Sequence, residues 1–384
     1  MHIHTLDLDF LDLTDAVAVF VVEGPAGLAL VETGPASTLP HLEAALARHG
    51  WQIADFQHIF LTHIHFDHAG AAWAFAGKGA TIYVHPRGLP HLAAPEKLYN
   101  SARMIYGDTM DQLWGPMHPI PSSQLRAPAH GEVIEAVGLR FTAWHTPGHA
   151  VHHVAWEVEA PGPSVEEAPP SPPVKGGDGA HSAAGIEHDA KATTDVLPSV
   201  EEAPPAPPVK GGDGAHSAAG TTHDRPATTD VLPPFMGGQG GAWGQGGAIF
   251  TGDVAGVRIG GGPVMPPCPP PDIQVEEWQA SLQLLRDSPV QTLYLTHFGR
   301  VTDKKAHLDE LEQRLLAWAE WIRPYAEQQT PAADIVPAFQ EFVQEELAAQ
   351  GMSVTMRQRY EVANPSFMSV SGLLRYWNKK NKLS

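Results

Sequence analysis

The chain has 384 residues, 43% of them apolar, which is enough for a sizeable core in one large domain with additions or in two domains. Its net charge of −19 gives a phosphate backbone no electrostatic help, so a small molecule rather than nucleic acid is the expected partner. A single cysteine, Cys268, rules out a disulfide framework and fits a reducing compartment.

The start, Met1-His2-Ile3-His4, lacks the charged-then-apolar pattern of a signal peptide. No apolar run reaches the roughly 18 residues a membrane span needs, so the expectation is a cytoplasmic protein with no membrane partner. Period-two patterning predicts antiparallel strands over Ile3–Leu8, Ala16–Val22 and Gly27–Glu32, the last two separated by Glu23-Gly24-Pro25-Ala26. Helical spacing runs from Leu39 to Arg48 and ends at Gly50, a capping position.

The apolar run Ile59-Phe60-Leu61 then leads into His63-Ile64-His65-Phe66-Asp67-His68, four metal-ligand side chains within six residues. In an extended segment alternate side chains share a face, so His63 and His65 can turn toward one metal ion. If Asp67-His68-Ala69-Gly70-Ala71-Ala72 opens a helix, Asp67 and His68 can face a second ion. That geometry differs from His-Glu-x-x-His, where two histidines sit one turn apart on a single helix.

A short strand follows at Thr81–Val84. Residues 90–120 break the rhythm, with Leu98, Met104, Ile105, Leu113 and Trp114 at near-helical spacing. An excursion of this kind beside a metal site is where a substrate pocket is built. Tyr99, Arg103 and Tyr106 are candidate contacts, although aromatic stripes of this spacing more often serve packing.

Three more apolar runs end in a turn that carries a ligand-type side chain. Phe141–Trp144 leads to Thr146-Pro147-Gly148-His149, Ala248–Phe250 to Thr251-Gly252-Asp253, and Val290–Leu295 to Thr296-His297. A sheet presents ligands in this way, in loops at one edge. Between the strands His153–Val158 and Ala248–Phe250 lies a segment of another composition. Ser164–Pro198 and Ser199–Pro233 are near-identical copies offset by 35 residues, dominated by Pro, Gly, Ala and Ser. Such composition cannot bury a continuous core, so 160–247 is expected to be a disordered insertion whose histidines (His181, His188, His216, His223) are not ligands. Its closure costs the core a few kcal/mol, because loop entropy grows only logarithmically with length. Helical periodicity returns over Lys304–Ala326 and Ile335–Ala349, and Asn364–Trp377 reads as a docked terminal helix.

On the Thr62–His68 segment, His149, Asp253 and His297, the chain resembles the metallo-β-lactamase superfamily over most of residues 1–300. The resemblance implies an α+β fold, the four-layer αβ/βα sandwich. Residues 1–300 would form the catalytic domain, and 301–384 a helical extension resembling the glyoxalase II-like branch. It further implies one metal held by His63, His65 and His149, a second by Asp67, His68 and His297, and Asp253 bridging them. Zinc suits such imidazole-rich ligands, and iron or manganese is compatible with them.

The implied activity is dinuclear metal-dependent hydrolysis of a small ester or thioester by a metal-bridging hydroxide, with Asp67 and Asp253 as the catalytic carboxylates. Within that class, a glyoxalase II-type hydroxyacylglutathione hydrolase competes with a lactonase. A phosphodiesterase or ribonuclease is the alternative of another class, against which the acidic balance speaks. Metal-bound histidines pass their second ring nitrogen to a carboxylate or carbonyl, and Glu32 and Asp55 are candidates for that part. A homo-oligomer is compatible with the sequence, which carries no sign for or against one.

Overall fold

In the computed structural model residues 1–160 and 246–383 are described. The repeats expected to be disordered, and their four histidines, lie outside the described residues. The strands form two six-stranded sheets, each in sequential order. The first contains β1 (His2–Asp7), β2 (Ala18–Gly24), β3 (Gly27–Val31), β4 (Phe56–Phe60), β5 (Thr81–Tyr83) and β6 (Leu125–Arg126). Its first three strands pair antiparallel, and β3 to β6 run parallel. The second contains β7 (Val133–Ala136), β8 (Leu139–His145), β9 (Val154–Glu159), β10 (Ala248–Phe250), β11 (Leu293–Leu295) and β12 (Gly299–Val301).

The helices are α1 (Leu39–Arg48), α2 (Phe66–Ala69), α3 (Ala72–Ala76), α4 (Leu89–Ala93), α5 (Glu96–Tyr106) and α6 (Met110–Leu113) in the first part of the chain. After the second sheet begins come α7 (Val275–Asp287), α8 (Lys304–Glu327), α9 (Ala332–Ala349), α10 (Val354–Ala363) and α11 (Ser366–Leu383).

Alternation decides the layering. Phe20 and Val22 of β2 face the same inter-sheet core as Phe60, Phe141, Trp156 and Phe250. The Phe60 and Phe141 rings stack at 4.0 Å across the sheets. Each such side chain contributes roughly 1.5–3 kcal/mol on burial. The intervening residues Val19 and Val21 face outward onto Leu42, Ala45 and Leu46 of α1. On the second sheet the outer layer is Trp278 of α7, Leu311, Leu315 and Trp318 of α8, and Phe339 of α9. Helices therefore cover both outer faces, giving an α+β sandwich of four layers with a helical C-terminal region.

Several boundaries differ from those the patterning predicts. β2 runs to Gly24, so the connection to β3 is the two-residue Pro25-Ala26 turn. The single helix expected from Asp67 is two short ones, α2 and α3, separated by Gly70-Ala71. Helix α7 lies outside the expected elements, although Val275, Trp278, Leu282 and Leu285 are buried at three- and four-residue steps. Helix α10 carries almost no amphipathic signal and fully buries only Tyr360. Among the described residues no helix is long and apolar enough to cross a membrane.

Candidate metal centre

Parallel pairing sets the site. β3 and β4 end side by side, Val31 opposite Phe60, so Glu32 and Thr62 emerge at the same sheet edge. The second sheet meets this edge directly: the Val154 amide donates to the Thr62 carbonyl at 2.7 Å, and the Ala18 amide to the Thr296 carbonyl at 2.8 Å. These cross-sheet bonds bring the turns after β4, β8, β10 and β11 to one place.

Two groups of ligand-type side chains result, His63, His65, His149 and Asp253 in one, Asp67, His68 and His297 in the other. In the first, His65 Nδ1 lies 2.8 Å from His63 Nε2 and 3.2 Å from His149 Nε2. Asp253 Oδ2 is 3.3 Å from His149 Nε2. In the second, Asp67 Oδ2 is 3.3 Å from His297 Nε2 and 3.7 Å from His68 Nε2. Asp253 joins this group with its other oxygen, Oδ1 standing 3.3 Å from His68 Nε2 and 3.4 Å from His297 Nε2. Bonds of about 2.0–2.1 Å in tetrahedral geometry put neighbouring ligands about 3.3 Å apart, and the separations here fall around that value, from 2.8 to 3.7 Å.

The outer nitrogens fix the rings. His149 Nδ1 donates to the Pro267 carbonyl at 2.9 Å, and His297 Nδ1 to the Ala16 carbonyl at 2.6 Å. His68 Nδ1 donates to Glu32 at 3.0 Å, and His63 Nδ1 meets the Thr62 hydroxyl at 3.0 Å. Because carbonyls and carboxylates only accept, His68, His149 and His297 carry a proton on Nδ1 and turn Nε2 inward, where a bound cation would take the place of any Nε2 proton. Among the described residues, the buried atoms His68 Nε2, His297 Nε2 and Asp253 Oδ1 have no hydrogen-bond partner, although both nitrogens stand within 3.4 Å of that oxygen. Buried polar atoms are normally satisfied, and a cation at this point satisfies all three. The donor set of imidazoles and carboxylates fits one.

Charge agrees with the geometry. Burial alone would depress His68 and His297, but the Asp253 and Asp67 carboxylates outweigh it and hold both above the ordinary histidine value. Burial alone would raise Asp67, yet His68 and His297 hold it down at about 2. Burial, with His149 beside it, holds His65 at about 3. The two aspartates are thus ionised, and their field favours positive charge between them.

Of the other candidates, Glu32 is wholly buried in contact with His68 and Thr62. Asp55 is a correction: it lies on the exposed turn before β4, where it closes a capping box with Gln52. Its backbone position, at the opposite end of β4 from the site, leaves it no histidine to orient. Tyr106 sits on α5 close enough to Asp67 that this carboxylate adds to the burial raising its hydroxyl. Tyr99 spends its hydroxyl on Asp111 at 2.7 Å and packs its ring on Phe66 at 6.1 Å. Arg103 is exposed.

Sequence reasoning passed over Thr62, His152 and His153. The Thr62 hydroxyl bonds Glu32 and meets His63, tying the two strand ends together. The His153 ring lies 5.1 Å from His63, and that of His152 5.7 Å from His65. The doublet His152-His153, three residues beyond His149, was the available signal.

Residues 13–159 match the family model described as the Metallo-beta-lactamase superfamily. Among solved structures, an archaeal metallo-beta-lactamase superfamily protein from Sulfolobus tokodaii has 16% identity and a TM-score of 0.48 over 81% of this chain and 85% of that one. The chain is also similar to a metallo-beta-lactamase family protein from Thermus thermophilus, with 18% identity and a TM-score of 0.55 over 99% of this chain and 93% of that one. The architecture is thus the metallo-β-lactamase fold. A His/Asp cluster suited to divalent metal stands at its sheet edge.

Proposed function

We propose that the protein is a dinuclear metal-dependent hydrolase of a small ester- or thioester-type substrate. The single observation that supports this is Asp253, whose two oxygens face different ligand groups, Oδ2 toward His149 and Oδ1 toward His68 and His297. One carboxylate shared in this way would keep two cations close together. His63, His65 and His149 would hold one, and Asp67, His68 and His297 the other, with zinc the cation best suited to the imidazoles. Two such cations would supply a water deprotonated near neutral pH and take up negative charge that develops on the substrate.

The chain's own residues orient the reaction. Asp67 is the most open of the carboxylates, at 20% side-chain exposure, and as a hydrogen-bond acceptor on the rim it orients the incoming water. Asp253, at 6%, stays inside as the bridge. Phe66, Tyr106 and Trp114 form an apolar wall beside Asp67, which suits an acyl group better than a phosphate. A cleft of about 360 Å³ lies on the Tyr99 side of this wall, lined by Pro95, Glu96, Tyr99, Asn100, Pro116 and Met117. A glyoxalase II-type thioesterase and a lactonase are both members of this class.

The test is metal analysis of the purified protein followed by assay against S-lactoylglutathione, a lactone panel and bis-p-nitrophenyl phosphate. Turnover of a thioester or lactone is expected. Hydrolysis of the phosphodiester alone would replace this reading with a phosphodiesterase.

A further inference from the structure

We propose that His2, His4 and Glu23 form a separate surface site for a transition-metal dication of the zinc, copper and nickel class. The placement follows from strand register. In the antiparallel pair of β1 and β2, His2 stands directly opposite Glu23. Period two puts His4 on the same face as His2, while Ile3 between them packs toward the inter-sheet core. All three side chains therefore lie on the outer face of the first sheet, His2 and His4 on its edge strand and Glu23 on the neighbouring one.

The ligand atoms converge. Glu23 Oε2 is 3.3 Å from His4 Nε2 and 3.8 Å from His2 Nδ1, close to the tetrahedral spacing of about 3.3 Å that bonds of this class impose. One ligand atom from each residue lies within 4.8 Å of the others. His49, just beyond α1, brings its ring within 5.2 Å of His4 and is held there by stacking on Trp51 at 4.7 Å, so a third imidazole is at hand as a fourth ligand. Two imidazoles and a carboxylate select this class of cation over calcium or magnesium, which prefer all-oxygen shells.

The site is distinct from the candidate centre. Glu23 pairs with Leu28 at the start of β3, whereas Glu32 and Thr62 emerge beyond its far end. Four residues of strand separate the two levels by roughly 13 Å. Side-chain exposures of 47%, 20% and 50% for His2, His4 and Glu23 leave room for exchange with solvent. A cation here would clamp the edge strand to its neighbour. A plain surface ion pair at the same place would need a protonated histidine and would add little to stability.

The experiment compares full-length wild type, His4→Phe and Glu23→Gln after equilibrium dialysis against a fixed free zinc concentration. His4→Phe keeps a ring against Trp51, and Glu23→Gln keeps the shape of the side chain, so each removes a ligand atom by a different conservative change. The expected result is one zinc fewer per chain in each variant, loss of a copper(II) signal with two nitrogen ligands, and unchanged basal activity. Because the candidate centre is intact in all three proteins, the difference does not depend on how many ions that centre holds. Equal zinc counts in wild type and both variants would overturn the proposal.

Discussion

Glu32 Oε1 and His68 Nδ1 are hydrogen-bonded at 3.0 Å, and both side chains are wholly excluded from solvent. Glu32 makes this contact from a left-handed backbone conformation, φ 65°, which costs a non-glycine residue on the order of 1–2 kcal/mol. That conformation turns the chain at the end of β3 so that one carboxylate reaches both His68 and the Thr62 hydroxyl. Glu32→Gln keeps the shape but removes the negative charge that makes His68 a stronger ligand. Metal affinity is expected to fall by about 10–100-fold, the usual effect of losing such an outer partner. Competition with a zinc chelator measures it, and an unchanged affinity would mean that Glu32 serves only the turn.

Removing a ligand should cost more than removing its partner. Asp253→Ala deletes the carboxylate that faces both groups, so bound metal should drop from both and activity should fall by more than about 100-fold. His65→Ala removes a ligand from one group only, so one ion should be lost while the other remains. Circular dichroism should show both variants folded, because the inter-sheet core is built from Phe20, Phe60, Phe141 and Trp156 and not from these residues. Unchanged turnover in either variant would mean that the chemistry lies elsewhere.

The sequence made the candidate ligands legible because each stands at the end of a strand with strong period-two or continuous apolar patterning. His149, Asp253 and His297 follow runs that end in small residues, and the sheet has no other way to present them. The fold was legible for the same reason, since α1 and α8 bury residues at the steps the sequence displays. What was not legible depends on partners far away in the chain. Thr62 gains its role from Glu32, thirty positions earlier. Asp55 and Glu32 look alike as isolated acids, and only the direction of β4 puts one at the site and the other at the opposite end. Helix α10 escaped because it is held mainly by Tyr360, whose hydroxyl donates to the Pro263 carbonyl at 2.7 Å.

Glycine at position 252 should be irreplaceable for reasons of space as well as backbone. Its φ is 46°, and a Cβ there would stand 2.7 Å from Thr62 Cβ and 2.9 Å from His153 Nε2. Gly252→Ala is expected to cost about 1–3 kcal/mol from overpacking in addition to about 1–2 kcal/mol from the left-handed backbone. It should also displace Asp253, its neighbour, and weaken metal binding. Gly50 is the internal comparison: its φ is 79° but a Cβ would meet nothing within 4 Å. Gly50→Ala should carry the backbone cost alone and leave metal affinity unchanged. Urea midpoints and zinc affinity for the two variants decide, and equal losses of both would remove Gly252 from the account of the site.

Acid should destabilise the metal-free protein, and His85 offers a clean way to see it. Burial, with smaller contributions from His145 and Arg87, lowers this histidine to about 4. Its Nδ1 accepts the Arg87 amide at 3.0 Å, a bond that requires the neutral ring. The folded-state value lies below the ordinary 6.5, so the unfolded chain binds the proton first as pH falls. The stabilisation is complete above about 6.5 and is lost progressively between there and about 4. His85→Asn keeps an acceptor for the Arg87 amide but cannot take up that proton. Chelator-treated wild type should therefore lose stability more steeply across this window than the variant, by up to about one proton per chain in the slope. Parallel slopes would show that His85 titrates alike in the folded and unfolded states, and that its closeness to His145, 4.3 Å between ring centres, is without electrostatic effect.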